Sequence, residues 1–513
     1  MSVTARSPTE ASHLLPEVPQ SRRHTTWPYQ VTTPRNIVLL LALILLILAS
    51  AGGLTVVPQT RLLEDILCHR YYDDTRGLSD IDESLCKNDA IQSELAYING
   101  LTTAVEAVIG LIFAFPFGIL ADKIGRKPVF MMSVFGTTLY LVSFVAVLRF
   151  WRIVPVHLVI FSSVFQIIGG GTHVILAVLY SIAADVETSA NRASAFFLLA
   201  LASYSGNLVG PLIASAMMEL FSPWVPLMVS IALVPVGVSI FIFIPETLEK
   251  KDSADGNDSV KDSPSVMTSI KSQSKHTISQ LLESFAMLKS PSLAIILLSF
   301  VSEMSLFFGK TVFFIQYFSK RFQWTLAKTG YLLSYRGIIS VCVLLIILPG
   351  ISKILLSPSY RFQYSAAKKD LVLAKWSALL MIFGYFMIGA PTVPVVFVGL
   401  IIATLGDGLA PLSRSLLTAY IDPEHTSRMY TLVGIVEALG SIYAGPALAA
   451  FFTLGMKCKV LWVGLPYLWL AFQCALVAFG LYFVNLKTAI MGKLAENEAE
   501  QEGLVPREAG EDV

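Results

Sequence analysis

Twelve long apolar segments dominate this amino-acid sequence. A helix needs about 20 mostly apolar residues to cross roughly 30 Å of hydrocarbon, and each segment is long enough to do so. The chain therefore predicts a membrane protein with twelve spanning helices. The predicted spans are 37–58, 95–121, 128–148, 154–184, 193–218, 224–245, 292–318, 329–351, 371–391, 393–420, 429–455 and 460–484.

The composition leads to the same class of protein. Of the 513 residues, 55% are hydrophobic and only 14% are charged, whereas soluble domains carry about 25% charged residues. The 37 basic and 36 acidic residues nearly cancel, which excludes a protein held on nucleic acid by a large positive field. Five cysteines are too few for a disulfide scaffold. We therefore expect a protein integral to the lipid bilayer.

The distribution of Lys and Arg predicts how the helices are oriented, because cytoplasmic segments carry an excess of these residues. With both termini in the cytoplasm, 22 Lys and Arg fall in inside segments and 11 in outside segments. Residues 1–35 lack the apolar core of a cleavable signal peptide. The first apolar segment is therefore expected to be a true span.

The spans divide the chain into two groups of six. We expect a cytoplasmic tail, a six-helix bundle, a cytoplasmic loop, a second six-helix bundle and a cytoplasmic tail. Their predicted bounds are 1–35, 36–246, 247–290, 291–485 and 486–513. The first outer loop, about 59–94, places Cys68 and Cys86 on the oxidising side, where they either form a disulfide or remain two free thiols.

The two halves share a pattern of residues, which indicates an internal duplication. Gly169 precedes Asp185 by 16 residues, and Gly406 precedes Asp422 by 16 residues. An arginine follows each acid, and a Gly-Pro pair comes later in each half. These residues are Arg192 and Arg428, then Gly210-Pro211 and Gly445-Pro446. The predicted architecture is all-α, with two parallel six-helix repeats around a central cavity.

A charged loop between spans 2 and 3 carries the most specific motif. Residues 118–127 read GILADKIGRK. This segment resembles the signature G-x-x-x-D-[RK]-x-G-[RK]-[RK] of the major facilitator superfamily at every fixed position. The matching residues are Gly118, Asp122, Lys123, Gly125, Arg126 and Lys127.

The resemblance implies that this loop gates the movement of one half against the other. Gly118 is expected to let two helix backbones approach closely. Asp122 is expected to sit at the N-terminal dipole of span 11, while Arg126 and Lys127 pair with Asp185 or Glu187. The alternative is that the positive charges only anchor the topology.

Span 5 contains a second motif, Gly206-Asn-Leu-Val-Gly210-Pro211, which resembles the core of the antiporter motif in drug–proton exchangers. Its glycine face permits close helix packing, and its proline can bend the helix. The glycines usual after Gly-Pro are replaced by Ile213-Ala214, and Ser163 stands where those exporters carry an arginine in span 4. Over about 36–485 the chain resembles the fungal multidrug and secondary-metabolite branch, with some similarity to proton-coupled folate-type carriers.

Ionisable residues within the predicted spans are the candidates for contact with substrate or protons. A charge at the bilayer centre costs roughly 2.5–3.5 kcal/mol on insertion scales, so each needs a structural or functional reason. The residues are Glu106, His173, Glu303, Lys310, Arg336, Asp407, Arg414 and Glu437.

Two of these residues stand seven positions before another, Glu303 before Lys310 and Asp407 before Arg414. Seven residues make two helical turns, so each pair shares a helix face. Asp407 replaces the glycine that the repeat has at Gly170 and is the first candidate for proton or substrate contact. Arg414 lies near the cytoplasmic end of its span, where its side chain can extend to the headgroups.

The other acids and the histidine leave alternatives open. Glu106 either exchanges protons or is a hydrogen-bonded packing residue. His173 can titrate near neutral pH, but a lone histidine is more often a core residue. Glu437 faces either the cavity or the region of Asp122.

The resemblance implies a secondary transporter that works by alternating access. The leading hypothesis is proton-coupled export of a hydrophobic metabolite or toxicant. One alternative is proton-coupled uptake of a nutrient or vitamin-like anion, with Lys310 and Arg336 as anion ligands. Another is a non-transporting nutrient receptor on the same fold.

Neither enzyme activity nor a cofactor is expected, because the sequence contains no nucleotide-binding loop, nucleophile–base set or metal cluster. The expected partners are a small-molecule substrate, protons and the lipid bilayer, without nucleic acid. We expect a monomeric multi-pass protein of the plasma membrane, with a vacuolar or endosomal membrane as the alternative.

Overall fold

The computed structural model describes residues 30–72, 81–188, 191–247, 291–356, 366–419, 426–458 and 460–484. Twelve helices in these residues are long and apolar enough to cross a membrane. We number them α1 to α12 in chain order. Their bounds are Pro34–Tyr71, Asp89–Ile124, Arg126–Arg149, Val156–Val186, Ser194–Leu220, Trp224–Phe241, Pro291–Lys310, Leu326–Leu356, Ala367–Ile388, Val393–Leu417, Leu432–Lys457 and Trp462–Phe483.

The chain forms helices here because hydrocarbon offers no partner for backbone N–H and C=O groups, and a helix satisfies them within one segment. Local residues mark the starts. Pro34 begins α1, where a missing N–H costs nothing. Asn88 caps α2 by accepting a hydrogen bond from the Ala90 amide, and Thr325 caps α8 by accepting one from the Lys328 amide.

The first helix is longer than the sequence predicts. The predicted outer loop from residue 59 is wrong at its start, because α1 is 38 residues long and continues to Tyr71. The added turns bury Leu62, Leu63 and Ile66 in an apolar cluster with Leu95 of α2. This packing stabilises helix beyond the length that a bilayer requires.

Several spans are interrupted. In α4, a 3-10 segment at Ser163–Ile167 leads into Gly169–Gly171, which all have positive φ. A Cβ at Gly169 would stand 2.3 Å from the Ser133 backbone, so only glycine fits there.

The predicted continuous span 292–318 is also wrong. Helix α7 ends at Lys310, and a separate helix occupies Val312–Phe322. Residue Thr311 between them has a non-helical backbone. The Val312–Phe322 helix is anchored independently, because Tyr317 is buried and its hydroxyl donates to the Ile388 carbonyl at 3.0 Å.

Each half of the chain has its own apolar core. One core lies mainly among α1, α3, α4 and α6, and the other mainly among α7 to α12 with the Val312–Phe322 helix. Large buried side chains of the first core are Leu41, Ile44, Phe130 and Phe241, and those of the second are Phe300, Phe314, Tyr385, Phe452 and Tyr467.

Glycine contacts set how closely the helices cross. Within the first half, α1 packs along α5, and a Cβ at Gly210 would lie 2.7 Å from the Gly53 Cα. A Cβ at Gly206 would lie 2.7 Å from the Leu46 carbonyl oxygen. Pro211 also contacts this crossing. The packing predicted for the span-5 motif therefore occurs between α1 and α5.

The second Gly-Pro pair does not pack within its own half of the molecule. Gly445 and Pro446 of α11 lie against Gly100 of α2, so this crossing joins the two halves of the molecule. A Cβ at Gly100 would lie 2.8 Å from the Gly445 carbonyl oxygen. Helices α5 and α8 form a second contact between the halves, in which Ser334 donates to the Leu208 carbonyl at 3.2 Å.

One end of the molecule, which we call the disulfide end, carries a disulfide between Cys68 and Cys86. Beside it, Lys87 donates to Glu64 at 2.7 Å and to Glu83 at 3.0 Å. The opposite end, at the junction of α2 and α3, is called the Asp122 end. The disulfide holds the segment after α1 against α1 itself.

The second half contacts the first at the disulfide end. Lys320 pairs with Asp89 at 2.5 Å, and Glu83 accepts a hydrogen bond from the Leu326 amide at 2.8 Å. Gln316 donates to the Gln92 carbonyl at 2.7 Å. Polar contacts thus bring the two halves together at this end.

Candidate functional site

The ionisable residues of the second half form two ionic clusters inside the membrane region. The first, the Asp407 cluster, consists of Asp407, Lys310, Arg336 and Ser340. Lys310 Nζ lies 2.5 Å from Asp407 Oδ1, and Arg336 Nη2 lies 2.9 Å from Asp407 Oδ2. Ser340 donates to the same Oδ2 at 2.8 Å. Both carboxylate oxygens of Asp407 are therefore engaged.

Local structure explains why these groups meet. Lys310 is the last residue of α7, just before the break at Thr311. Asp407 lies in a 3-10 turn, Gly406–Gly408, within α10. A Cβ at Gly406 would lie 2.6 Å from the Ser377 carbonyl oxygen of α9, so the turn is pressed onto that helix. The backbone contact holds Asp407 towards α7 and α8.

The Asp407 cluster contains two cations and one carboxylate. The side chain of Asp407 is 6% exposed, and those of Lys310 and Arg336 are 17% and 13% exposed. Charges this poorly hydrated are stable only when paired and hydrogen-bonded. One positive charge in this cluster has no carboxylate of its own within it.

The second cluster, the Glu437 cluster, consists of Glu437, Arg414 and Glu303. The Arg414 guanidinium donates to Glu437, and Glu303 lies 3.6 Å from the same Nη2 atom. The guanidinium also stands 5.6 Å from the centre of the Phe300 ring. The expected extension of Arg414 to the headgroups is wrong, because two intramembrane carboxylates attract the side chain more strongly than the distant interface.

The charge balance of the Glu437 cluster is opposite to that of the Asp407 cluster. Two carboxylates share one guanidinium. The side chain of Arg414 is 37% exposed, and those of Glu303 and Glu437 are each 21% exposed. The Glu437 cluster is therefore more open than the Asp407 cluster and carries a surplus negative charge.

The structure pairs each residue of one sequence-spaced pair with a residue of the other pair. Glu303 and Lys310 lie on α7, and Asp407 and Arg414 lie on α10. Lys310 contacts Asp407, and Glu303 contacts Arg414, so each ion pair joins the two helices. The two helices are antiparallel, which is why the earlier residue of one pairs with the later residue of the other. Sequence spacing predicts a shared face but not this register.

Residues of the first half face these clusters. Tyr204 on α5 is close enough to Arg414, Asp407 and Glu303 to interact with them electrostatically. His173 on α4 interacts in the same way with Glu437. Sequence reasoning missed Tyr204, whose only signal is a tyrosine among small residues, Ala202-Ser203-Tyr204-Ser205-Gly206.

Glu106 lies apart from both clusters. It is on α2, and its carboxyl interacts with the Tyr140 hydroxyl of α3. One turn further along α2, a Cβ at Gly110 would lie 2.8 Å from the His173 ring. Glu106 and His173 therefore belong to the first half of the molecule.

The signature loop forms its own ionic network at the Asp122 end. Arg126 pairs with Asp122 at 2.8 Å and with Asp185 at 3.3 Å. The expected pairing of Arg126 with Asp185 is thus present, whereas Lys127 Nζ instead donates to the Ile244 carbonyl at 2.5 Å. Arg192 donates to the Ala184 carbonyl at 3.2 Å, and Lys123 is exposed. The contact of Asp122 with span 11 stays a prediction.

Glu246 completes this network, and sequence reasoning did not give it a role. Its carboxylate accepts hydrogen bonds from the Arg126 amide at 2.8 Å and the Lys127 amide at 3.0 Å, and so caps α3. Gly125 has φ +114°, and a Cβ there would meet Glu246 at 2.6 Å. Gly118 differs from its prediction, because a Cβ there meets no atom of the described residues within 4 Å.

In the part of the chain that the structure describes, no group of three or more His, Cys, Asp or Glu side chains could hold a metal ion. The ionisable clusters instead contain bases paired with acids. Such clusters can bind charged organic groups or protons.

Comparisons with known proteins agree with this architecture. A family model described as the Major Facilitator Superfamily matches residues 90–445. The chain is 29% identical over 465 residues to the MFS-type transporter aprT of Aspergillus flavus, covering 90% of each chain. It is 30% identical over 446 residues to the MFS efflux pump atnC of Emericella nidulans, covering 85% of each.

Among solved structures, the fold is similar to the inward open conformation of the xylose transporter XylE from E. coli. The TM-score is 0.58 at 13% identity, covering 88% of this chain and 96% of that one. The human organic anion transporter MFSD10 gives a TM-score of 0.54 at 18% identity, covering 87% and 99%. These two likenesses concern the fold.

Proposed function

Since the chain belongs to the Major Facilitator Superfamily and is a multi-pass secondary transporter, we propose that it exports a small organic molecule in exchange for protons. The name of one relative, an efflux pump, supports the outward direction. The observation that carries the proposal is the Glu437 cluster, in which two intramembrane carboxylates share one guanidinium.

The contacts between the halves support an inward-facing arrangement. They join the two bundles at the disulfide end, through Lys320 with Asp89 and through the Gly100 crossing. The excess of Lys and Arg favours a cytoplasmic Asp122 end. We therefore infer that the ionic clusters are reached from the cytoplasm. This is the inward-facing state, in which an exporter loads its substrate.

Proton exchange is assigned to Glu303 and Glu437. One of these two carboxylates has no cation of its own in the cluster, and a lone charge in the membrane is costly. A proton or a cationic substrate group can offset it. Within the described residues, the other ionisable groups near this pair are Arg414, Lys310, His173 and Tyr204, of which Arg414 lies closest.

Asp407 receives a different role from the one its sequence position suggested. Its two oxygens are occupied by Lys310, Arg336 and Ser340. We propose that Asp407 is the counter-ion that keeps these cations in place, rather than the group that exchanges the proton.

The first experiment compares metabolites in cells and medium with the gene intact and deleted. A compound that accumulates in the cells and disappears from the medium would support export and would identify the substrate. That compound is then used in vesicles with a pH gradient. We expect Glu437→Gln to abolish gradient-driven accumulation, while Glu94→Gln, a half-exposed acid at the disulfide end, leaves it intact.

Unchanged accumulation in Glu437→Gln would remove this carboxylate from the coupling mechanism. Protein levels in the vesicle membrane are measured in parallel, so that a folding defect is recognised. A surviving exchange of substrate for substrate, without the pH gradient, would show that the variant still binds and moves its cargo.

Uptake of an organic anion is the second candidate function. Two cations, Lys310 and Arg336, share one carboxylate and could accept an anionic group. In the same metabolite comparison, a compound left unused in the medium after gene deletion would favour uptake.

A further inference from the structure

We propose that the transported molecule is a zwitterion, with a cationic group bound at the Glu437 cluster, an acidic group bound at the Asp407 cluster, and an apolar body between them. This inference rests on the proposed function, because it assigns a substrate class to the same site. Three observations carry it, namely the two charge balances, a stripe of residues on α7 and the opposite wall, together with the cost of burying an unpaired charge.

The two clusters have surpluses of opposite sign. Glu303 and Glu437 share Arg414, which leaves a negative surplus. Lys310 and Arg336 share Asp407, which leaves a positive surplus. A substrate that supplies one cation and one anion neutralises both at once.

One helix face connects the two clusters. Glu303, Phe307 and Lys310 stand at positions i, i+4 and i+7 of α7, and these positions share one face. Seven residues of helix rise about 10 Å, which sets the separation of the two charged groups. Phe307 lies between them and is 54% exposed, so an aromatic surface is available for the apolar body.

The first half provides the opposite wall. Tyr204 is 55% exposed and lies within electrostatic range of Glu303, Arg414 and Asp407, which belong to both clusters. A tyrosine combines an apolar ring with a hydroxyl group. A substrate held between Phe307 and Tyr204 would therefore contact both halves of the transporter.

The same geometry disfavours molecules with a single charge. An anion at the Asp407 cluster leaves the negative surplus of the Glu437 cluster unanswered, and a cation does the reverse. Each unanswered charge costs free energy in a poorly hydrated site. Selectivity then has two sources. The zwitterion is attracted to both clusters, and a molecule with a single charge leaves one cluster with an unpaired charge.

The zwitterion also gives a route to exchange. The cationic group of the substrate and a proton compete for the carboxylates of Glu303 and Glu437. Binding of a proton from the outer side would displace the cationic group and favour release. No covalent bond changes in this step; one proton replaces one cationic group.

The test uses the tripeptide Phe-Gly-Phe in four forms. One form has free termini, one has an acetylated N-terminus, one has an amidated C-terminus, and one has both termini blocked. Three extended residues span up to about 10 Å, which matches the separation of the clusters. Binding to the full chain in lipid nanodiscs is measured by equilibrium dialysis. We expect the form with free termini to bind at least about tenfold more tightly than any blocked form, because blocking a terminus removes one charge-assisted contact.

Variants assign each charge to its cluster. Glu437→Gln should remove the preference against the acetylated form and leave the preference against the amide. Arg336→Gln should remove the preference against the amide and leave the preference against the acetylated form. Lys310→Gln serves as a second variant if Arg336→Gln does not fold. Phe307→Ala should weaken all four peptides, and Glu94→Gln should change none.

The outcomes separate this inference from the proposed function. If blocked and free peptides bind equally, or if none binds, the zwitterion is excluded, while export of a compound found by metabolite comparison would still stand. If the free form binds selectively but no variant or gradient affects transport, proton-coupled export fails and the binding assignment stands.

Discussion

At the residue scale, intramembrane charges are the most informative part of this chain. Each is costly in hydrocarbon, and the described structure pays that cost by pairing acids with bases on different helices. Asp407, for example, contacts Lys310 of α7 and Arg336 of α8. Glu303 and Glu437 meet at Arg414. The sequence identifies the charged residues, but the partners come from other helices.

Replacing Asp407 tests this pairing. Asp407→Asn leaves Lys310 and Arg336 facing each other without a counter-ion, and breaking a buried ion pair costs roughly 3–5 kcal/mol. We expect a clear fall in the temperature of half-unfolding in nanodiscs. The double variant Asp407→Asn with Lys310→Gln should recover part of the loss, because one uncompensated cation is removed.

The matched control for that experiment is Asp82→Asn, an exposed acid at the disulfide end. Asparagine keeps the Oδ1 acceptor for the Ser84 amide, so this change should leave the unfolding temperature nearly unchanged. An equal fall in the single and double variants would contradict the assignment of Asp407 as a counter-ion.

At the element scale, glycines decide which helices can touch. Gly206 and Gly210 bring α5 against α1 within one half. Gly100 and Gly445 bring α2 against α11 across the two halves. The same type of motif therefore stabilises a bundle in one place and a contact between bundles in the other. Only the second kind can change when the halves rock against each other.

The α2–α11 crossing yields a conformational prediction. In Gly100→Ala, the new Cβ would lie 2.8 Å from the Gly445 carbonyl oxygen, which is backbone and cannot rotate away. The two helices must separate, so we expect the population to move away from the inward-facing state. Labelling of a cysteine placed at Tyr204 by an impermeant reagent added on the cytoplasmic side should slow at least severalfold.

Gly52→Ala is the control, because a Cβ at Gly52 meets no atom within 4 Å in the described parts of the chain. It should leave the labelling rate as it is. If Gly100→Ala labels like the unmodified protein, the crossing does not contribute to the balance between states.

At the scale of the whole molecule, the disulfide end acts as the closed side of the transporter. The disulfide and the Lys87–Glu64 pair hold the segment after α1 in place. The second half then docks on this segment through Lys320 and the start of α8. Opening towards this side requires the contacts between the two halves, those of Lys320 and of the start of α8, to break.

Lys320→Gln should therefore favour the outward-facing state. The change removes the ion pair with Asp89 and a bond to the Lys87 carbonyl, and a partly exposed pair of this kind contributes about 1 kcal/mol or less. We expect a severalfold rise in labelling of a cavity cysteine from the outer side. The exposed Lys328 lies nearby, and Lys328→Gln should have no effect; equal labelling in both variants would contradict the role of Lys320.

Part of this protein follows from local sequence alone. Apolar length determined the number and approximate position of the twelve membrane helices, because crossing hydrocarbon is a local requirement on about 20 residues. The loop motif at 118–127 identified the superfamily, and the family match agrees. The ionisable residues of the clusters could also be named in advance.

Only the tertiary structure decided how these parts combine. The break after Lys310, the extension of α1 to Tyr71 and the role of Glu246 depend on packing between distant segments. The pairing of Lys310 with Asp407 and of Glu303 with Arg414 depends on the register of two antiparallel helices. Helical periodicity specifies which residues share a face, whereas the partner across that face is set by how the helices pack, and no local pattern in either helix contains that information.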